Sequence, residues 1–339
     1  MVYKVCILGG GCWGIALSCL LLNKKCKVKV YEPVYEKYRK LCSSRYLETL
    51  PQVARIPEEI EITNDIQYSV EDSEIIIFAL PSVVVRKYAS KVKSFVNNDK
   101  VRVIISATKG IETETFMRMS EVISQELGLS EKIAALSGPT HAEEVCQQNI
   151  PTACVVAGVN KEVALFAQQL LFTEHFRVYT NDDIIGVELG GALKNIYAIA
   201  AGICDGLKLG DNTKAALVTR ALAELTRFGT RLGGKLTTFL GLAGVGDLIV
   251  TCYSSHSRNN NFGKKLAQGL STQQALQEIN MTVEGVITVK AVHNYCSRNE
   301  LDVEMPIAEE VYKVVYEGKS VRDALKSLIH RSPKHEFYE

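Results

Sequence analysis

The stretch ILGGGCWGIALSCLLL, residues 7–22, sets three glycines in a row, a tryptophan and a fourth glycine between two apolar runs. The run before it, Val2–Leu8, is short, rich in β-branched residues and almost uncharged, which predicts a buried parallel strand. Behind Gly14, the apolar residues Ile15, Leu17, Leu20, Leu21 and Leu22 recur at helical spacing. Gly9, Gly11 and Gly14 thus form G-x-G-x-x-G across a strand-to-helix turn. Gly9 permits the tight turn, Gly11 lets backbone approach a pyrophosphate, and Gly14 lets the helix pack on the strand. The helix N-terminus adds N–H groups and a partial positive charge for phosphate oxygens. Glycines in a loop carry little weight alone. The next strand, Lys27–Tyr31, however, ends in Glu32, and an acid about 20 residues past the turn is the group expected on a ribose 2′-hydroxyl. Together these features predict a dinucleotide-binding turn.

Working outward, strands are expected at 74–80, 101–107, 133–136 and 153–157, with helical periodicity between them, as in 82–95 and 116–127. This alternation is that of an α/β domain of Rossmann type: a doubly wound, mostly parallel sheet with helices on both faces. Beyond Asp183 strand signals vanish. Segments rich in Ala, Leu and Glu at 184–204, 213–232, 261–268, 272–278, 286–298, 307–316 and 321–328 predict an all-helical C-terminal domain. The polar YTNDDI (179–184), with Asp and Asn as capping candidates, marks the boundary. Residues 1–182 are accordingly assigned to dinucleotide binding, and 183–339 to a helical substrate-binding and catalytic domain.

A chain of 339 residues can bury two sizeable cores. Its 39 Lys plus Arg against 38 Asp plus Glu leave no electrostatic footprint for nucleic acid or an anionic membrane. The ten cysteines are scattered, none in C-x-x-C, and several lie in apolar segments, as small hydrophobes do in a reducing cytosol. No metal is expected, because the six histidines show neither H-E-x-x-H nor H-x-H spacing. The N-terminal apolar run is spent on the glycine turn rather than on a signal peptide. The longest apolar stretch, 184–203, holds Glu188, Lys194 and Asn195, too many polar groups for a membrane span. A cytoplasmic, soluble protein is the expectation.

Eight further stretches occur in order: FALPSVVVR (78–86), SATKGIE (106–112), LSGPTHAEEV (136–145), GVELGGALKNIYAIAAG (186–202), GDNTKAALVTR (210–220), GLAGVGDLIVTCYSSHSRNN (241–260), VEGV (283–286) and MPIAEEVYKVVYEG (305–318). In these the chain resembles NAD(P)-dependent glycerol-3-phosphate dehydrogenase, nearer to the bacterial-type branch. The resemblance implies interconversion of sn-glycerol 3-phosphate and dihydroxyacetone phosphate with NAD or NADP. Supply of glycerol 3-phosphate for phospholipid synthesis is the family's usual role. Homodimers are common in the family.

The candidate residues have plainer readings too. Lys194 lies in an apolar, glycine-rich helix beside Gly191, Asn195 and Ala198, where desolvation lowers a lysine pKa. It could instead snorkel to solvent or pair with Glu188. The resemblance makes it the general acid in ketone reduction and the general base in alcohol oxidation. Lys109, after the strand 101–107, reads alone as a solvated loop residue; ATKG matches the family's substrate lysine, which also borders the cofactor. Asp247 reads as a helix N-cap, and by resemblance it borders the lysines and orients Lys194, with Thr251 one turn on and Asn195 beside Lys194 as substrate contacts. SSHSRNN (254–260) reads as an exposed loop. The family places substrate contacts at Ser257, Arg258 and Asn259, the guanidinium suiting phosphate and lying near the cofactor as well. By the same resemblance Gly138 and Thr140 contact substrate, and Ala142 and Glu284 contact cofactor; unaided, Glu284 is a surface carboxylate. Trp13 either staples strand to helix or touches the dinucleotide. Cys12 stands where the family often has Ser, which keeps a backbone N–H and removes only a hydroxyl.

Two rival readings have distinguishable demands. Another two-domain hydroxyacid dehydrogenase would want a carboxylate clamp, whereas SRN with Lys109 suits phosphate. A non-catalytic dinucleotide-binding redox sensor would need none of Lys109, Lys194 and Asp247. For the cofactor, Glu32 accepts hydrogen bonds from ribose hydroxyls but meets a 2′-phosphate with like charge, so NAD is expected over NADP. Lys37 and Arg39 follow closely and act in the opposite sense.

Overall fold

Runs such as KVCIL, IIIF and VIIS offer a sheet no polar face, and the chain buries them nearly throughout. The structure is a computed structural model that describes residues 2–147, 149–299 and 303–336. Its first part contains, in chain order, β1 (Lys4–Leu8), α1 (Cys12–Leu22), β2 (Lys27–Tyr31), α2 (Tyr35–Ser44), β3 (Ile60–Thr63), α3 (Ile66–Val70), β4 (Ile75–Phe78), α4 (Ser82–Val92) and β5 (Val103–Ser106). There follow α5 (Met119–Leu127), β6 (Ile133–Ser137), α6 (Ala142–Val145), β7 (Thr152–Gly158), α7 (Lys161–Leu171) and β8 (Phe176–Asn181).

The eight strands form one sheet in the order β3-β2-β1-β4-β5-β6-β7-β8, parallel except where β6 meets β7. Strand order reverses beside β1, which pairs with β2 on one side and β4 on the other, giving a topological switch point. Register aligns Leu8 with Tyr31 and Phe78, and Phe78 with Ser106. Gly9, Glu32, Ala79 and Ala107 therefore all emerge at the same carboxyl edge. The central strands match the sequence expectation, whereas β3 and β8 at the two edges were not anticipated. Glu61 in IEIT, and Arg177 and Tyr179 in FRVYTN, are exposed, so neither strand has the unbroken apolar run of a central strand.

From Ile184 the described chain is helical: α8 (Ile184–Gly206), α9 (Asp211–Arg231), α10 (Leu236–Phe239), then a π-helical turn at Leu242–Gly246 that runs directly into α11 (Asp247–Tyr253). After these come α12 (Arg258–Ala267), α13 (Thr272–Ile279), α14 (Glu284–Asn299), α15 (Pro306–Tyr316) and α16 (Val321–Ile329). The start of α8 uses the anticipated cap, with Asp183 Oδ1 accepting the Gly186 N–H at 2.8 Å. Both α8 and the run 236–253 are long and apolar enough to cross a membrane, but 89% of the most apolar 18-residue stretch of α8 is buried within the protein, as in a core helix.

The chain groups into two compact units: residues up to Thr108 with Met119–Val187, and Lys109–Arg118 with Glu188 onward. The sequence reading draws one boundary, at 182/183; the grouping differs in passing inside α8 and in placing Lys109–Arg118 with the helices. That segment also shortens the helix expected from residue 116. Phe116 takes a left-handed φ of 61°, so α5 begins only at Met119.

Candidate active site

In the first unit the glycines of the turn stand where a side chain would not fit or where space is open. Gly9 has φ +123°, and a Cβ there would lie 2.5 Å from the Ala79 carbonyl oxygen. A Cβ on Gly14 would lie 1.8 Å from the Gly9 oxygen, so only glycine lets α1 leave β1 this closely. Gly11 is the opposite case. Nothing lies within 4 Å of its would-be Cβ, which leaves open space at the N-cap of a helix that has neither a side-chain cap nor an acidic residue in its first turn. These features fit a dinucleotide pyrophosphate.

Around this turn Trp13 donates its indole N–H to the Ala107 carbonyl at 3.1 Å, tying α1 to the exit of β5. Cys12 directs its thiol to Thr49. Glu32, at the tip of β2, is 5% exposed, and its Oε1 accepts the Val34 N–H at 2.8 Å. Burial pushes its carboxyl above the usual range, against the pull of the Val34 N–H, Lys37 and the Gly10 N–H. Elsewhere in this unit Gly138 has φ +117°, Thr140 donates its hydroxyl to the Gly138 carbonyl at 3.1 Å, and Ala142 opens α6.

The second unit assembles a charge cluster from distant parts of the chain. Asp247, fully buried, receives the Lys109 ammonium at Oδ2 (2.8 Å) and the Lys194 ammonium at Oδ1. Thr251 Oγ1 accepts from Lys194 at 2.8 Å and donates to the Asp247 carbonyl at 2.6 Å. Two ammonium groups thus share one carboxylate where water is largely excluded. Burial pushes the Lys194 ammonium down to about 7; Asp247 opposes this and Lys109 adds to it. For Asp247, burial pushes the carboxyl up, but Lys109 and Lys194 outweigh it and hold the group below its ordinary value. A lysine titrating near neutrality can both give and take a proton.

An asparagine chain extends the cluster. Asn195 Nδ2 donates to the Lys109 carbonyl at 3.1 Å, and its Oδ1 accepts from Asn259 Nδ2 at 2.9 Å. Asn259 Oδ1 in turn accepts the Gly285 N–H at 2.9 Å, next to Glu284 at the start of α14. Ser257 caps α12, accepting the Asn260 N–H, and the exposed Arg258 donates to the Thr282 carbonyl at 3.2 Å. In this unit hydrogen bonds connect Lys109, Lys194, Asn195, Asp247, Thr251 and Asn259. Gly138, Thr140 and Ala142 belong to the other unit with the glycine turn.

Three plainer readings are corrected. Glu188 does not pair with Lys194; it binds Arg118 at 2.7 Å. Asp247 is no N-cap, because Gly246 before it is already helical and the Asp247 carboxylate goes to the lysines. SRNN is not an exposed loop either, since Arg258 and Asn259 form the first turn of α12. The π-helical turn explains the second correction: it adds a residue to the helix just before Asp247, while Gly190 of α8 packs where a Cβ would be 2.5 Å from the Ala243 oxygen. The sequence reading missed Arg118 and Asn260. Asn260 donates to Asp205 and to the Cys252 carbonyl, and only its neighbours in SSHSRNN hinted at it.

The chain matches two family models, described as NAD-dependent glycerol-3-phosphate dehydrogenase N-terminus, over residues 4–164, and C-terminus, over residues 183–326. It is 45% identical over 336 residues to the glycerol-3-phosphate dehydrogenase (NAD(P)+) of Halothermothrix orenii, covering 99% of this chain and 97% of that one. The Thermoanaerobacter sp. protein of the same name is 46% identical, with 99% of both chains covered. Among solved structures, glycerol-3-phosphate dehydrogenase from Coxiella burnetii superposes with a TM-score of 0.90 at 36% identity, over 97% of this chain and 99% of that one.

Proposed function

The chain belongs to the NAD-dependent glycerol-3-phosphate dehydrogenases, and from that membership we propose how its residues divide the reaction. It interconverts sn-glycerol 3-phosphate and dihydroxyacetone phosphate with NAD or NADP. When bound, the nicotinamide supplies the hydride in ketone reduction and accepts it in alcohol oxidation.

The first unit binds the dinucleotide. Gly9, Gly11 and Gly14 hold the pyrophosphate at the N-terminus of α1, with the Cys12 and Trp13 backbone beside it, and Glu32 takes the adenosine ribose. Ala142, Lys109, Arg258 and Glu284 complete the cofactor contacts, and Gly138 and Thr140 touch substrate. The second unit does the proton chemistry. In reduction the Lys194 ammonium gives its proton to the carbonyl oxygen as that oxygen becomes a hydroxyl; in oxidation neutral Lys194 takes the proton back. Asp247 holds Lys194 by one oxygen and Lys109 by the other, and Thr251 fixes the direction of the Lys194 lone pair. Lys109 polarises the carbonyl and, with Ser257, Arg258, Asn195 and Asn259, anchors the phosphate ester. The reading extends to a cytoplasmic homodimer that works mainly toward glycerol 3-phosphate for phospholipid synthesis.

The observation that carries this division is the pair of lysines on one buried aspartate. An assay of NADH consumption tests it. Dihydroxyacetone phosphate should be reduced far better than dihydroxyacetone or a 2-keto acid. Comparable turnover of a 2-keto acid would favour the hydroxyacid reading, and NADH binding without turnover the redox-sensor reading.

A further inference from the structure

The segment Lys109–Arg118 presents a mechanical problem. Its first residue places an ammonium on a buried carboxylate through a flexible four-carbon stem, so its backbone must be held well. At the Lys109 end the carbonyl is gripped by Asn195 Nδ2. The segment then folds back on itself: Ile111, 1% exposed, bridges to Arg118, and the Glu112 N–H donates to the Met117 carbonyl. At the far end the Phe116 ring stacks on Tyr295 with centroids 4.0 Å apart and stands edge-on to the buried Phe228 at 6.1 Å. Arg118 is paired with Glu188, with side chains only 14% and 5% exposed. Glu188 and Asn195 lie about two turns apart on α8, so one helix grips both ends of the hairpin.

The backbone at Phe116 is informative. A left-handed φ of 61° is disfavoured for a bulky residue and persists only where surroundings over-determine it. Here the determinant is the ring cluster, because Phe228 and Tyr295 are themselves edge-on to each other and give the third ring a defined seat.

We propose that the Phe116–Tyr295–Phe228 ring cluster and the Arg118–Glu188 ion pair form a clamp that fixes the Lys109 ammonium on Asp247, making Phe116, Tyr295, Arg118 and Glu188 positioning residues for the reaction. The proposal rests on reading Lys109 as a substrate-holding cation. It assigns a purpose to a buried ion pair and an aromatic cluster at the end of the hairpin remote from Lys109. Loss of the ring seat lets the hairpin drift and misplaces the ammonium without removing it.

A double-mutant cycle tests the clamp on the full chain: Phe116→Leu, Lys109→Met and the two combined, with kcat and KM for dihydroxyacetone phosphate and the NADH dissociation constant measured for each. Phe116→Leu should lower kcat/KM on the order of ten- to a hundredfold, the scale of a misplaced catalytic group, and weaken NADH no more than Lys109→Met does. Phe116→Tyr, which keeps the ring, should restore most of the rate. In the Lys109→Met background Phe116→Leu should change kcat/KM by less than about twofold, since the group it positions is gone. An equal loss in both backgrounds, or no loss in either, would overturn the clamp. Wild-type turnover by Lys109→Met would overturn the reading of Lys109 itself, and the clamp with it. If Phe116→Leu does not fold, Tyr295→Leu with Tyr295→Phe as its rescue runs the same cycle.

Discussion

The glycine turn and the lysine cluster reach function by opposite routes. The turn works by leaving side chains out: a Cβ on Gly9 or Gly14 would run into the Ala79 or Gly9 carbonyl oxygen. The cluster works by bringing the charged side chains of residues 109, 194 and 247 in beside the Thr251 hydroxyl, and their charges must be largely taken out of water. Desolvation is what brings Lys194 to about 7, so the same physical cost that makes the cluster unfavourable lets this lysine gain and lose a proton near neutral pH. Its effect on stability has a definite sign. Between about 7 and the ordinary lysine value of 10.5, the unfolded chain holds a proton that folded Lys194 has released, so this group's contribution to stability rises with pH across that window.

The largest expected effect separates the two regions. Lys194→Ala should cut turnover on the order of 10²–10⁴-fold, the usual worth of general acid/base help, while NADH binds as in the wild type. Wild-type kcat in this variant would remove Lys194 from the mechanism, and loss of NADH binding would break the separation of roles. The pH dependence carries an independent sign. Reduction needs the ammonium, so its rate should fall as pH rises through about 7, whereas oxidation needs the neutral amine and should rise through the same value. Profiles with the same slope in both directions would assign the titration to another group.

The contrast also explains what a sequence can disclose. The turn was legible because its glycines fall within six contiguous residues and its strand and helix flank it directly. The central strands were legible for a similar reason, being apolar without interruption. At the edges, IEIT and FRVYTN each expose charged or polar residues, and the alternation too short to recognise left them unread. Nothing local told that Lys109, Lys194 and Asp247 meet; only the family resemblance brought them together. The π-helical turn was hidden for a third reason. LAGVG has the composition of a loop, and its helical state is held by packing against α8 at Gly190.

Next in size is Arg258. Removing a charged hydrogen-bond partner from a phosphate costs about 1.5–3 kcal/mol, so Arg258→Ala should lower kcat/KM for dihydroxyacetone phosphate more than for dihydroxyacetone. The ratio between the two substrates is the reading to take, because Arg258 also supports the Thr282 carbonyl and its loss can lower both. An unchanged ratio would assign the phosphate to other residues of the cluster.

Within the turn itself, two glycines should fail differently. Gly14→Ala forces a methyl against rigid backbone at 1.8 Å and should lower the melting temperature, overpacking being worth roughly 1–3 kcal/mol. Gly11→Ala meets nothing in the protein, so it should fold normally and raise the KM for NADH by filling the space a pyrophosphate takes. A normal KM with a lowered melting temperature for Gly11→Ala would mean that the open space serves the fold and not the ligand.

The smallest effect concerns cofactor choice, which the turn cannot make because both nicotinamide cofactors share the pyrophosphate. On the proposed reading discrimination falls to Glu32, at the carboxyl edge of β2. An ionised Glu32 accepts from ribose hydroxyls and repels a 2′-phosphate, so NADH should exceed NADPH in kcat/KM. Glu32→Ala should narrow that gap even if it weakens both cofactors, since the Val34 N–H loses its partner in either complex. Burial sets the pH dependence: with its carboxyl held above the ordinary value, Glu32 becomes neutral as pH falls at a point where an exposed glutamate would still be charged. The NADH preference should therefore shrink on mild acidification in the wild type and stay flatter in Glu32→Ala. Equal efficiency with the two cofactors in the wild type would show that Lys37, whose charge already acts on Glu32, or Arg39 outweighs the carboxylate.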